Sequence, residues 1–360
     1  MRINWILPRA NLGGGTRTVR ELAEQLEARG HTCTIAHLGS TVAWPPPWRA
    51  RSFARRLGLA WQVRGKEQHH LAETSVATIE VQADRIEAGD VPEADFSIAT
   101  WWETMEWIQD WPASRGRHAY YVQHHEIHGG EPDRVRATYR APGLKIVIAR
   151  WLEDLMRSEY GAQSTVRVPN GLDLERFDAP ARPRGRPPTV GLMYSTKAWK
   201  RTDLAFEAIS RARERVPELR VLAFGEMPLR SEPPPPPGLE FLLRPDQSRI
   251  PSLYARCDVW VLASDLEGFG MPGLEAAACR CPVVATRCGG AEEYVQHGTT
   301  GLLVPVGDVQ ALADAIVEIV HLDPLEWTRM SEAGHRAARS FRWETSAEIL
   351  EKALIRYQQA

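Results

Sequence analysis

Short apolar runs alternate with amphipathic stretches along most of the chain. Ile3–Leu7 is an apolar run of strand length. A loop with Gly13, Gly14 and Gly15 follows, and Thr16–Arg29 then carries Val19, Leu22, Ala23 and Leu26 at a helical period. Gly30 stands where a helix-ending glycine belongs. Thr32–Leu38 is the next strand, and further strands are predicted at Val76–Val81, Phe96–Thr100, Ala119–Gln123, Ile146–Ala149 and Val166–Val168. The segment Ala179–Pro188 interrupts this pattern with prolines and a glycine and reads as a linker.

After the linker the alternation restarts. Strands are predicted at Thr189–Met193, Leu219–Phe224, Leu239–Leu242, Val259–Ala263 and Val283–Thr286. Helices are predicted at Asp203–Arg215 and Ile250–Arg256, and from near Pro272, Ala291 and Asp308. Asp323-Pro324-Leu325-Glu326 opens another, with an N-cap, a proline at the first helical position and a carboxylate three residues after the cap. Alternating strands and helices imply parallel sheets covered on both faces. The chain thus reads as α/β, in two domains. The length of 360 residues agrees, at roughly 150 residues per domain.

Composition narrows the function. With 44 Lys and Arg against 46 Asp and Glu, the net charge of −2 argues against a nucleic-acid-coating protein, whose binding rests on phosphate neutralisation. No apolar run approaches the ~18 residues of a membrane span, and the apolar start ends at Pro8, too short for a signal peptide. The expected location is the cytoplasm. The five cysteines lack a C-x-x-C pair and read as buried thiols rather than zinc ligands.

The stretch from Ser264 to Asp308 carries the most chemistry. An apolar strand ends in a loop with Gly268 and Gly270, and a helix begins near Pro272. Free N–H groups and partial positive charge at such a helix start attract phosphate, and Gly268, Gly270 and Gly273 let a ligand approach the backbone. Glu267 and Glu275 lie eight residues apart and could grip hydroxyls on two parts of one extended ligand. Taken singly, Glu275 would merely complement the helix dipole and Glu267 would be solvated.

As a whole, the stretch resembles the donor-site signature of retaining glycosyltransferases of family 4 (glycosyl transferases group 1). The matching elements are Glu267 and Glu275 around Gly268–Pro272, then Pro282–Val284, Gly289-Gly290 and Gly298–Gly301. The resemblance implies a GT-B fold of two facing Rossmann-like domains with parallel sheets. Its expected parts are an acceptor domain at 1–178, a donor domain at 187–342, and a helix at 343–360 returning to the first domain. It implies that Glu267 contacts the donor sugar, that Glu275 contacts the ribose, and that the amides around Phe269, Gly270 and Met271, with Pro272 opening the helix, face sugar and phosphates.

Three further segments extend the likeness. Val168–Asp173 with Phe177 matches a Pro-Asn-Gly-x-Asp segment. Lys200 matches a donor-site lysine. Ser195 stands where, or nearly where, the family has an arginine, and Lys197 and Arg244 are the candidates to replace it. Gly13, Gly14 and Gly15 match a glycine loop under the donor phosphates. After the strand at Tyr120-Tyr121-Val122, the segment Gln123-His124-His125-Glu126 lies at the strand end where α/β ligands bind. His124 is the first choice, and His125 the second, for the family histidine that reaches the transferring sugar. Arg280 stands where the family commonly has glycine.

A dinucleotide dehydrogenase is disfavoured, because Gly13–Gly15 lacks G-x-G-x-x-G spacing and the second strand ends without an acidic residue. No Asp-x-Asp is present, so no metal is expected, and no cofactor beyond the nucleotide sugar as substrate. The expectation is a retaining, metal-independent glycosyltransferase acting by front-side displacement, with Lys200, Glu267 and His124 at its centre. The competing reading is a non-catalytic GT-B subunit that supports a partner transferase.

For the donor, dTDP, UDP and GDP sugars stand open; the YYVQ segment faintly resembles rhamnosyltransferases that use dTDP. The acceptor is a saccharide, lipid-linked or small-molecule hydroxyl. Eight of the 13 tryptophans precede residue 112 and offer stacking faces, while Trp107 and Trp111, four apart, read as helix packing. Arg49, Arg51, Arg55, Arg56, Arg64 and Lys66 interleave with Phe53, Leu57, Leu59 and Trp61. This stretch reads either as a solvated helix face or as a contact with the inner face of an anionic membrane.

Overall fold

The computed structural model describes residues 1–11, 13–39, 69–72 and 74–360. The basic stretch from Arg49 to Lys66, with Trp44, Trp48 and Trp61, lies outside the described residues, and the membrane reading built on it lies there too. The chain forms two compact units. One comprises Met1–Ile146, Met156–Val166 and Leu350–Ala360; the other comprises Val147–Leu155 and Arg167–Ile349.

Among the described residues, the sheet of the first unit has seven strands: β1 (Arg2–Arg9), β2 (Thr32–Leu38), β3 (Ala77–Val81), β4 (Phe96–Ala99), β5 (Arg117–Val122), β6 (Leu144–Val147) and β7 (Thr165–Arg167). Their order is β3-β2-β1-β4-β5-β6-β7. β1 pairs in parallel with β2 and β4, β2 with β3, and β4 with β5. β6 begins two residues before the expected strand and ends at Val147. The helices are α1 (Gly14–Ala28), α2 (Trp102–Ile108), α3 (Pro132–Arg140) and α4 (Arg150–Ser158), the last with residues in both units.

α1 buries Val19, Leu22, Ala23 and Leu26, the predicted stripe. It ends as its sequence dictates: Gly30 at φ +87° donates to Glu27 O at 2.9 Å, and His31 N–H donates to Leu26 O at 3.1 Å. The expected glycine loop is itself the helix start, with Gly13 as N-cap and Gly14 and Gly15 in the first turn. The helix packing expected for Trp107 and Trp111 does not hold as a pair. α2 ends at Ile108, Trp111 lies beyond it, and both rings are half-buried.

The second unit has β8 (Thr189–Met193), β9 (Arg220–Gly225), β10 (Glu240–Leu243), β11 (Val259–Leu262), β12 (Val283–Thr286) and β13 (Gly301–Val304), ordered β10-β9-β8-β11-β12-β13 and parallel throughout. Its helices are α5 (Thr202–Arg215), α6 (Ile250–Ala255), α7 (Met271–Ala278), α8 (Val309–His321) and α9 (Pro324–Ala338). α10 (Trp343–Gln359) starts in this unit and ends in the first. The core gathers Val190, Leu192, Val221, Val259, Val261 and Val284 with Phe206, Ile209, Ile316 and Trp327. Each large apolar side chain so buried stabilises the unit by about 1.5–3 kcal/mol. Asp323 caps α9 as its sequence signals, accepting from Leu325 N at 2.8 Å and Glu326 N at 2.9 Å. The helix expected from Ala291 is only a single 3-10 turn, Ala291–Glu293. Its chain is diverted at Tyr294, whose ring packs into the core beside Phe269.

All five cysteines are free and buried. Burial pushes the thiols of Cys33, Cys279 and Cys288 up to about 12, so they behave as small hydrophobes. No described helix is long and apolar enough to cross a membrane.

Candidate functional site

In the second unit, the loops at the C-terminal ends of β8, β11 and β12 converge. The loop after β11 runs beside that after β12: Glu267 N–H donates to Cys288 O at 2.9 Å, and Gly290 N–H returns to Glu267 O at 3.1 Å. That lacing requires glycine at 290, because a Cβ there would stand 2.5 Å from the Phe269 Cα. The loop after β8 is tied in through Asp265 N–H, which donates to Trp199 O at 2.8 Å.

This backbone frame brings Lys200 and Glu267 together. Lys200 Nζ lies 2.6 and 2.8 Å from the two carboxylate oxygens. Ser264 Oγ donates to Glu267 Oε1 at 2.6 Å, so one oxygen is held from two sides. Glu267 is buried rather than solvated. Glu275, one turn into α7, is also buried and accepts from the Tyr254 hydroxyl at 2.8 Å. Tyr254 itself packs against Phe177, at the end of the Pro-Asn-Gly segment, and against Trp260.

α7 starts at Gly270, a left-handed residue at φ +78° that only glycine adopts without strain. Tyr294 Oη donates to Gly270 O at 2.7 Å and locks the turn. Phe269 turns its ring inward, against Tyr294 and Phe341, so only its backbone is offered at the loop. Met271 and Pro272 are half-buried in the first turn, and Gly268 O accepts from the Trp151 indole, also of this unit, at 3.2 Å.

Neither candidate for the missing arginine joins the Lys200–Glu267 pair. Lys197 is exposed, with its ammonium 5.5 Å above the Trp199 ring. Arg244 is exposed and donates through Nε to Glu226 O at 2.7 Å. Ser195 instead braces the turn, its carbonyl accepting from Thr202 Oγ1 at 2.8 Å. Arg201, next to Lys200, is left-handed at φ +46° and is paired with Asp203 and Asp265. Arg280 is left-handed too and, at the end of α7, donates to Ala179 O and Glu332.

The remaining candidates belong to the first unit. Gly14 has open space where a Cβ would be, whereas a Cβ on Gly15 would touch Gln123 at 3.4 Å. Gln123 accepts from Thr18 Oγ1 at 2.6 Å, so the end of β5 braces the start of α1. His124 Nδ1 lies 3.0 Å from His125 O, and its ring meets His128 edge-on at 5.2 Å. His125 bonds Tyr160 through Nε2 at 2.7 Å, and burial lowers its pKa. Sequence reasoning missed Gln123, Ser264, Tyr254, Tyr294 and Trp151. Gln123, Tyr254, Tyr294 and Trp151 act through partners remote in sequence, which no local spacing signals, and Ser264 acts on Glu267 three residues further along the same loop. Among the described residues, no group of three or more His, Cys, Asp or Glu could hold a metal ion.

The fold is GT-B. Two solved structures match nearly the whole chain: sucrose-phosphate synthase from Thermosynechococcus elongatus covers 100% of this chain and 98% of its own, with TM-score 0.71 and 20% identity. HepE from Anabaena, in complex with UDP and glucose, covers 98% and 99%, with TM-score 0.73 and 18% identity. Residues 188–321 match the family Glycosyl transferases group 1. The GDP-mannose-dependent alpha-(1-6)-phosphatidylinositol monomannoside mannosyltransferase of Mycolicibacterium smegmatis is 30% identical over 232 residues, which is 58% of this chain and 60% of that protein. The D-inositol 3-phosphate glycosyltransferase of Kribbella flavida is 35% identical over 216 residues, 52% and 50% of the two chains. The chain thus spans between half and two thirds of these relatives' length.

Proposed function

We propose that the protein is a glycosyltransferase that moves a sugar from a nucleoside-diphosphate donor to an acceptor hydroxyl, without a metal ion and with retention of configuration. The observation that carries this reading is the cluster of Lys200 with the buried Glu267 and Ser264 at the C-terminal ends of β8 and β11, beside the start of α7 and Glu275. Lys200 binds the diphosphate, Glu267 holds a sugar hydroxyl and Glu275 the ribose. For His124, Gly14 and Gly15, which belong to the first unit, the family resemblance implies donor-contacting roles.

Mechanism follows from charge. Breaking the sugar–phosphate bond builds negative charge on the diphosphate. Lys200 and the N–H groups that open α7 are fixed donors for that charge, and they stabilise the transition state more than the ground state. The acceptor hydroxyl attacks from the leaving-group face and passes its proton to the departing phosphate oxygen, so no protein nucleophile is needed.

The relative named for GDP-mannose makes a GDP sugar the first donor to try, and the UDP complex of HepE makes UDP the second. The inositol-bearing substrates in the two relatives' names make a cyclitol or saccharide hydroxyl the acceptor class. A thermal-shift screen of GDP, UDP and dTDP tests the reading. The matching nucleotide at a hundred times its Kd stabilises the protein by about 2.7 kcal/mol. No shift with any of the three would remove the donor site.

A further inference from the structure

The first unit holds a buried carboxyl that the proposed chemistry does not use. Glu126 follows His125 at the start of a short turn and is 1% exposed. Its Oε2 accepts from the Tyr120 hydroxyl at 2.6 Å and from the Trp102 backbone N–H at 2.8 Å. Trp102 is the first residue of α2, so that N–H has no acceptor within its own helix. Glu126 N–H in turn donates to the Tyr139 hydroxyl at 2.7 Å, and this hydroxyl donates to the His124 carbonyl at 3.3 Å. Tyr139 is stacked on Tyr120 with ring centroids 5.6 Å apart, so the two hydroxyls are fixed relative to one another.

The segment from His124 to Glu126 is therefore anchored at both ends. The side chain of Glu126 fastens it to β5 and to the start of α2, and Tyr139 fastens its backbone to α3. A loop whose histidines merely face solvent would need no buried carboxyl beneath it.

We propose that Glu126 is a positioning residue for His124: through the Tyr120–Glu126–Tyr139 bonds it holds the loop after β5 so that the His124 imidazole is presented in one place to the transferring sugar. The proposal rests on the reading that His124 faces that sugar. Burial pushes the Glu126 carboxyl up to about 8, so at neutral pH it is held largely as the acid and works by hydrogen bonding rather than charge. Lys145, whose ammonium lies 5.9 Å from the Tyr120 ring centroid, donates to Ala141 O. A neutral side chain with a carbonyl oxygen in the same place should thus do the same work, whereas a truncated one should not.

The test uses the full chain with Glu126→Ala, Glu126→Gln, Tyr139→Phe and His124→Ala. Nitrogen-15 NMR of labelled histidine follows the His124 imidazole, assigned by its loss in His124→Ala. Release of nucleoside diphosphate from GDP-mannose and UDP-glucose gives kcat and KM. In Glu126→Ala and Tyr139→Phe, the His124 signals should shift and broaden while those of His321, in the other unit, stay in place. Their kcat should fall about tenfold to a hundredfold, the scale of a misplacement near 1 Å, with KM little changed. Glu126→Gln should restore the His124 signals and most of kcat. His124 signals unmoved in both Glu126→Ala and Tyr139→Phe would overturn the anchorage. If Glu126→Ala fails to fold, Tyr139→Phe, which leaves the carboxyl in place, decides alone. Full turnover by His124→Ala, with the signals still moved by Tyr139→Phe, would instead overturn the role given to His124 and leave the anchorage standing.

Discussion

Lys200 and Glu267 are closed on one another, with Nζ 2.6 and 2.8 Å from the two carboxylate oxygens. Glu267 is held in place by Ser264, so Lys200, on its flexible four-carbon stem, is the partner free to turn toward a phosphate. Glu267→Gln weakens the internal pair and leaves the ammonium seeking an anion. Calorimetry should show the free nucleoside diphosphate binding several-fold more tightly, while sugar transfer falls. Weaker binding of the diphosphate would contradict this division of roles.

Lys200→Ala leaves the buried Glu267 carboxylate without its cation. Losing one partner of a buried pair costs about 3–5 kcal/mol, and the residual exposure of the lysine places this case near the lower figure. Denaturant unfolding followed in the second unit checks it. A loss under 1 kcal/mol would mean that the pair is solvated in solution.

Glu275→Ala should weaken nucleotide binding by about 1.5–3 kcal/mol, the range for hydrogen bonds to a charged group. Tyr254→Phe removes only the hydroxyl that orients Glu275, and should cost less. Equal affinity of Glu275→Ala and the parent chain for the diphosphate would take Glu275 out of the ribose contact.

Glu126 and Lys145 give the first unit a pH signature with opposite signs. Burial raises Glu126 from 4.5 to about 8, so the folded state binds its proton more tightly than the unfolded state does. The stability it contributes is full below pH 4.5 and is lost as pH rises toward 8. Burial lowers Lys145 from 10.5 to about 8, so stability is regained between pH 8 and 10.5. Each slope is at most about 1.4 kcal/mol per pH unit. Glu126→Gln should flatten the fall between pH 5 and 8 and leave the rise above pH 8 unchanged. An unaltered profile would show that the carboxyl is not held as the acid.

Most of the architecture was legible because burial forces a pattern. β2, β8 and β12 match their apolar runs end to end, and Gly30 and Asp323 mark helix ends by chemistry that leaves little choice. The misreadings have local causes. Ala291 is followed by polar residues of good helix propensity, yet Tyr294 is drawn into the core and ends the turn. Trp107 and Trp111 have helical spacing, but α2 stops between them. In the candidate site, Glu267, Glu275 and Lys200 were legible through the resemblance of their segments to a family signature, not through spacing alone. Their supports were not: Tyr254 and Gln123 act through partners far away in sequence, and Ser264 and Glu126 act through individual side-chain bonds that no sequence period announces.

Release of nucleoside diphosphate from a panel of GDP, UDP and dTDP sugars, with EDTA present and cyclitol or saccharide acceptors supplied, tests the central claim most directly. The proposed chemistry uses Lys200 and the start of α7 to carry the phosphate charge. It predicts that one donor is turned over, that EDTA does not reduce the rate, and that Lys200→Ala abolishes it. No turnover and no binding of any of the three nucleotides, or a rate that collapses with EDTA and returns with Mg²⁺ or Mn²⁺, would contradict it.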